Sequence, residues 1–145
     1  MSQQQQPKRE LSALQQAEIV EKQKLLEDRQ RKLQVIAKNT SHLNQKDIAL
    51  KRERGRVAVT LRELTNYPET QVVYRSVGRM FLKKSLSTMQ EDYKAMETRF
   101  QRDIEKNDED KKRLQTAGES EELHLRQDYA EFVQTLEKYG LAVRN

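Results

Sequence analysis

The sequence predicts a mostly α fold: a long antiparallel two-helix coiled coil whose arms are joined by a short β-hairpin. Three observations carry this. Of 145 residues only 34% are hydrophobic and 35% are charged, with no Trp, so apolar surface must be arranged in stripes along helices instead of around a thick core. Four Gly and two Pro are too few for a loop-rich sheet protein. Two stretches carry apolar residues at helical spacing, and between them lies a cluster of β-branched and aromatic residues on both sides of a glycine.

Residues 1–7, MSQQQQP, form a Gln-rich stub expected to be disordered, because nothing in it could offset the entropy of ordering. Residues 8–66 read as the first coiled-coil helix, rich in Leu, Gln, Glu, Lys and Arg and free of Pro. Ile19, Leu26 and Leu33 repeat at seven, and Ile36, Leu43, Leu50, Val57 and Leu64 repeat at seven in a second set, which together make an a/d seam. Nine of the fourteen seam sites between 19 and 64 are apolar. Lys22, Arg29, Thr40, Asp47 and Arg54 take the others, so the middle of the seam is expected to be loosely held.

Asn66-Tyr67-Pro68 stops this helix, since proline disfavours helical geometry in the residue before it and cannot donate the next hydrogen bond. Residues 67–85 then read as a β-hairpin turning near Gly78, with Val73, Tyr74, Val77, Met80, Phe81 and Leu82 on either side. A lone two-stranded hairpin is marginal in water and leaves both edges unpaired. The chain is too short to supply more strands, so they are expected from other polypeptides, and these six residues with Gly78 are the candidate assembly site.

Residues 86–139 read as the second coiled-coil helix, with Ser85 or Ser87 as cap and Leu86, Met89, Tyr93, Met96 and Phe100 as its seam. This seam fades through Glu105 to Arg113 and resumes with Leu125, Tyr129, Phe132, Leu136 and Tyr139, with a stutter expected between Leu114 and Leu125. Gly140 ends the helix, and residues 140–145 form a short tail. Folding back about residue 76 brings Leu64 near Met89 and sets Thr40 and Asp47 opposite Lys112 and Glu105. A firm base, a loose waist and a re-zipped far end follow. Tyr129, Phe132, Leu136, Tyr139 and Leu141, with Leu11 and Leu14, gather at that far end. They read equally as ordinary seam and as an apolar tip that binds exposed segments of other proteins.

Several function classes are excluded by what is missing. There is no Cys for a disulfide or thiolate site, no Gly-rich phosphate loop and no nucleophile elbow, and His42 and His124 lack metal-ligand spacing and read as solvated surface residues. No enzyme, cofactor or metal is expected. No apolar run exceeds three residues, so no membrane span is expected. The net charge of +5 is spread among alternating signs, as on solvated helix faces. The run KRERGR, Lys51 to Arg56, suggests a rival reading as a scaffold coiled coil with nucleic-acid association. Against it, the heptad register runs straight through these residues and Arg54 itself takes a seam position.

The segment TNYPETQVVYRSVGRMFLKKS, Thr65 to Ser85, flanked by coiled-coil helices, resembles the β-type subunits of prefoldin. The resemblance implies a cytoplasmic heterohexamer of two α-type and four β-type subunits, with hairpins assembled into β-barrels and coiled coils hanging from them. It further implies ATP-independent capture of unfolded proteins such as actin and tubulin at the coiled-coil tips, and their delivery to the cytosolic chaperonin.

Overall fold

A computed structural model describes residues 10–141. Helix α1 spans Ala13–Thr65, strand β1 Val73–Val77, strand β2 Met80–Lys84 and helix α2 Leu86–Lys138. The prediction of two long helices joined by a hairpin is correct. The stub at 1–7, residues 8 and 9 of the expected first helix and the last four residues of the expected tail lie outside the described residues.

Helix α1 starts at Ala13, later than the expected residue 8, and local chemistry explains the position. Ser12 Oγ accepts from the Gln15 N–H at 3.2 Å while Gln15 Oε1 accepts from the Ser12 N–H at 3.0 Å, a reciprocal capping box. Helix α2 is capped by Ser85, whose Oγ accepts from the Thr88 N–H at 3.2 Å. Gln90 donates across to the Leu64 carbonyl at 3.1 Å and so satisfies an end group of α1. At the far terminus of α2, Gly140 adopts φ +71°. The Leu141 N–H bonds the Leu136 carbonyl at 2.9 Å and the Gly140 N–H bonds the Glu137 carbonyl at 3.0 Å, a Schellman ending that leaves the helix at Lys138.

Two compact units divide the chain: residues 39–114, which contain the hairpin, and residues 10–38 with 115–141, which carry the helix termini. In the hairpin unit, Leu64, Leu86 and Met89 form a buried cluster, against which Val73 and Tyr93 pack. This seats β1 on the base of the helices. Val57 and Ile104 are also buried here.

All fourteen seam positions of α1, from Ile19 to Leu64, are buried or half-buried. The expected slack at the polar ones does not occur. Arg54 donates to Gln101 at 2.7 Å, and buried Asp47 receives Lys51 at 2.9 Å and Lys111 at 3.4 Å. Asn107, only 1% exposed, donates to the Leu43 carbonyl at 3.0 Å. The polar stretch from Glu105 to Arg113 therefore supplies seam residues, because each polar side chain that turns inward meets a partner on the other helix.

The seam of α2 also departs from expectation. Phe100, Ile104 and Asn107 are covered, then Lys111, Leu114, Gly118, Glu121, Leu125, Asp128, Phe132, Thr135 and Tyr139. Two consecutive steps of four, from Met96 to Phe100 to Ile104, put the stutter there and not after Leu114. Asp128 and buried Thr135 take the inward positions that the sequence assigns to Tyr129 and Leu136, so Tyr129 faces solvent.

Candidate assembly site and terminal region

The hairpin is built by alternation and a glycine. Gly78 has φ +59° and is the first of two loop residues between Val77 and Met80; among the described residues no non-glycine residue has positive φ, so the turn is of type II′. The strands pair Val73 with Lys84, Tyr74 with Lys83, Arg75 with Leu82, Ser76 with Phe81 and Val77 with Met80. One face of the ribbon therefore carries Val73, Arg75, Val77, Met80, Leu82 and Lys84, and the other Tyr74, Ser76, Phe81 and Lys83.

The first face is anchored at one end only. Val73 is half-buried on the core, and Asp92 of α2 accepts from Lys84 at 2.8 Å with Arg75 at 3.9 Å. The Lys84 ammonium, opposed by partial desolvation, holds the Asp92 carboxyl below the usual aspartate range. Beyond this clamp the remaining candidate residues are open: Tyr74 is 60% exposed, Met80 66% and Phe81 72%, with Val77 and Leu82 also exposed. The ribbon has two strands, so among the described residues both of its outer edges lack a strand partner. The clamp of Arg75, Lys84 and Asp92 was not singled out from sequence. Its signal was available, since Arg75 and Lys84 share a face under strict alternation and that face needed an acid beneath it.

The terminal residues behave less uniformly. Leu14 is 84% exposed, Tyr129 52% and Leu141 37%, whereas Leu11, Phe132, Leu136 and Tyr139 are half-buried. Tyr139 donates its hydroxyl to the Glu18 carboxylate, which raises the phenol's pKa above its ordinary value. It is thus a strut between the helices. Every buried apolar side chain among the described residues, namely Val57, Leu64, Leu86, Met89 and Ile104, belongs to the hairpin unit. The unit of the helix termini is closed by polar pairs instead. Arg29 binds Asp128 at 2.9 Å and Glu121 at 3.0 Å, and both carboxylates raise its pKa. Lys22 lies 3.9 Å from Glu131. The expected apolar re-zipping is therefore a polar clasp, with Ile19, Leu26, Leu33 and Phe132 only half-covered beside it.

Other sequence candidates are resolved by their neighbours. His42 is exposed, but His124 is half-buried with Nδ1 3.4 Å from the Arg29 guanidinium, where it can only accept. Its assignment to the solvated surface is corrected accordingly. In the KRERGR run, Lys51 pairs with Asp47, Arg54 with Gln101 and Arg56 with Glu53, so three of its four cations already have partners within the protein, although Lys51, Arg52 and Arg56 are exposed. Among the described residues no group of acidic, His or Cys side chains could hold a metal, and no helix is long and apolar enough to cross a membrane.

The family model described as "Prefoldin subunit" matches residues 23–132, a span from the first helix through the hairpin into the second. No curated protein matches the sequence.

Proposed function

The chain belongs to the prefoldin-subunit family, and from that premise we propose that it is a β-type subunit, most like prefoldin subunit 1, of a cytoplasmic heterohexameric chaperone. The hairpin carries the reading. Its exposed Tyr74, Val77, Met80, Phe81 and Leu82, turned by Gly78 and anchored by Val73, give an apolar ribbon with free edges, which is unfavourable in water unless sister hairpins cover it. Pairing with α-type and other β-type subunits satisfies both the edges and the apolar face.

The helix termini then act as one arm of a client clamp. Exposed Leu14, Tyr129 and Leu141, beside half-covered Leu11, Phe132, Leu136 and Tyr139, offer apolar area to unfolded chains of the actin and tubulin class. Each contact gains roughly 25 cal/mol per Å² buried, and several arms acting together convert weak contacts into avidity. Capture needs no bond made or broken, so no nucleotide is consumed, and release to the cytosolic chaperonin proceeds by competition for the same apolar segments. The family is one of non-enzymatic chaperones, and no residue here is assigned a catalytic role.

A triple variant, Leu14→Ser, Tyr129→Ser and Leu141→Ser, tests the clamp within the assembled complex, because all three positions are exposed and outside the seam. Aggregation of a chemically denatured client, followed by light scattering, is expected to rise at least about twofold over the wild-type assembly. Unchanged suppression would remove the clamp from this subunit.

A further inference from the structure

We propose that the free edge of β1 and the cavity beside it form a socket for one strand of a sister subunit, with a large apolar side chain of that strand seated between hairpin and helices. This rests on the assembly role above and specifies how the hairpin selects its neighbour. The cavity, about 310 Å³, is walled by Thr60 and Leu64 of α1, Met89 and Tyr93 of α2, and Val73 and Tyr74 of β1. Tyr67 and Val72, both exposed, also line it.

The two-residue turn determines which backbone groups are free. Val77 and Met80 flank it and exchange both hydrogen bonds, and by alternation so do Arg75 with Leu82 and Val73 with Lys84. Tyr74 and Ser76 therefore direct their N–H and C=O groups away from β2, along an edge that no described strand covers. A strand laid on this edge presents every second side chain to the helix-facing side, where Val73 sits. A residue opposite Val73 then enters the cavity.

This is the division of labour seen when a strand is added to a sheet edge: backbone pairing supplies affinity, and a side pocket reads alternate residues. The lining fixes the chemistry of the occupant. None of the side chains around the cavity is charged, so an entering carboxylate or ammonium would be desolvated without an ionic partner. A branched aliphatic or aromatic side chain meets Leu64, Val73 and Met89 instead.

The full-length chain, co-expressed with α-type and β-type prefoldin subunits and read by native mass spectrometry against a mass-tagged wild-type competitor, tests the socket. Thr60→Trp fills the cavity from a half-buried position outside the heptad seam and is expected to lower incorporation at least tenfold. Val72→Glu, at an exposed residue that lines the cavity, places a charge there and is expected to do the same, and it carries the test if Thr60→Trp loses helicity. Ser76→Pro removes an outward N–H without breaking a β1–β2 bond and is also expected to lower incorporation. The exposed Thr98→Trp, away from the cavity, should incorporate as wild type. Thr60→Trp and Val72→Glu entering hexamers at the wild-type level would overturn the socket alone. Wild type failing to enter any hexamer would overturn the assembly role and the socket with it.

Discussion

Replacing Asn107 with Leu should stabilise the protein, and the size of the gain follows from its surroundings. Asn107 is 1% exposed, makes one bond through its amide nitrogen to the Leu43 carbonyl, and leaves its Oδ1 without a hydrogen-bond partner. A buried acceptor without a partner costs about 1–3 kcal/mol, and the bond lost on substitution is worth about 1 kcal/mol. The Leu43 carbonyl is not orphaned by the change, because it lies inside α1 and keeps its helical acceptor role. Burying Leu in place of the amide adds about 1.5–3 kcal/mol, offset in part by about 1 kcal/mol of strain from the larger side chain. The net is about 2 kcal/mol in favour of Leu, or about 6 °C in Tm at roughly 3 °C per kcal/mol for a chain of this size. Urea and thermal unfolding followed by circular dichroism measure it directly. A Leu variant that melts below wild type would show instead that the polar layer is a net stabiliser. Asn107→Ala, which removes the amide and leaves a void, should fall below the Leu variant.

Three further outcomes are expected. Met89→Ala, in the buried cluster under the hairpin, should cost about 2–4 kcal/mol in urea unfolding, since it opens a cavity beside Leu64 and Leu86. Asp92 has its pKa lowered in the folded state, so the clamp on the hairpin is fully present above the ordinary aspartate range and is lost as pH falls through the lowered value. Amide shifts of β1 and β2 should therefore be constant above about pH 5 and move only in acid, and Asp92→Asn should abolish that acid transition. Gly78→Ala should cost the hairpin about 1–2 kcal/mol because the position needs positive φ, and it should raise hydrogen exchange in β1 and β2 while leaving α1 protected.

Helix α1 was legible because its seam repeats without interruption from Ile19 to Leu64 and apolar residues hold most sites. The hairpin was legible because Val73 to Leu82 change periodicity around a glycine that the turn requires. Helix α2 was only half legible. Its inward positions at Asn107, Lys111, Glu121, Asp128 and Thr135 are polar, while apolar Tyr129 one step along is solvent-exposed, so a search for apolar periodicity follows the wrong residues. Burial of those polar groups depends on what the opposite helix offers: Arg29 for Asp128 and Glu121, and Asp47 for Lys111. Periodicity within one helix carries no trace of that pairing. Asking what acid each inward cation of α1 needs would have found it. The clamp at Asp92 escaped for the same reason, because it joins a strand to a helix through charges that look like ordinary surface residues when read singly.

Completion of this hairpin by other chains underlies the proposed assembly role. Native mass spectrometry of the wild-type chain co-expressed with α-type prefoldin subunits measures it most directly. A discrete hexamer containing this chain is expected, with backbone amides of Tyr74 and Ser76 protected from exchange only in the assembly. A stable monomer that ignores those subunits and already protects these two amides would contradict it.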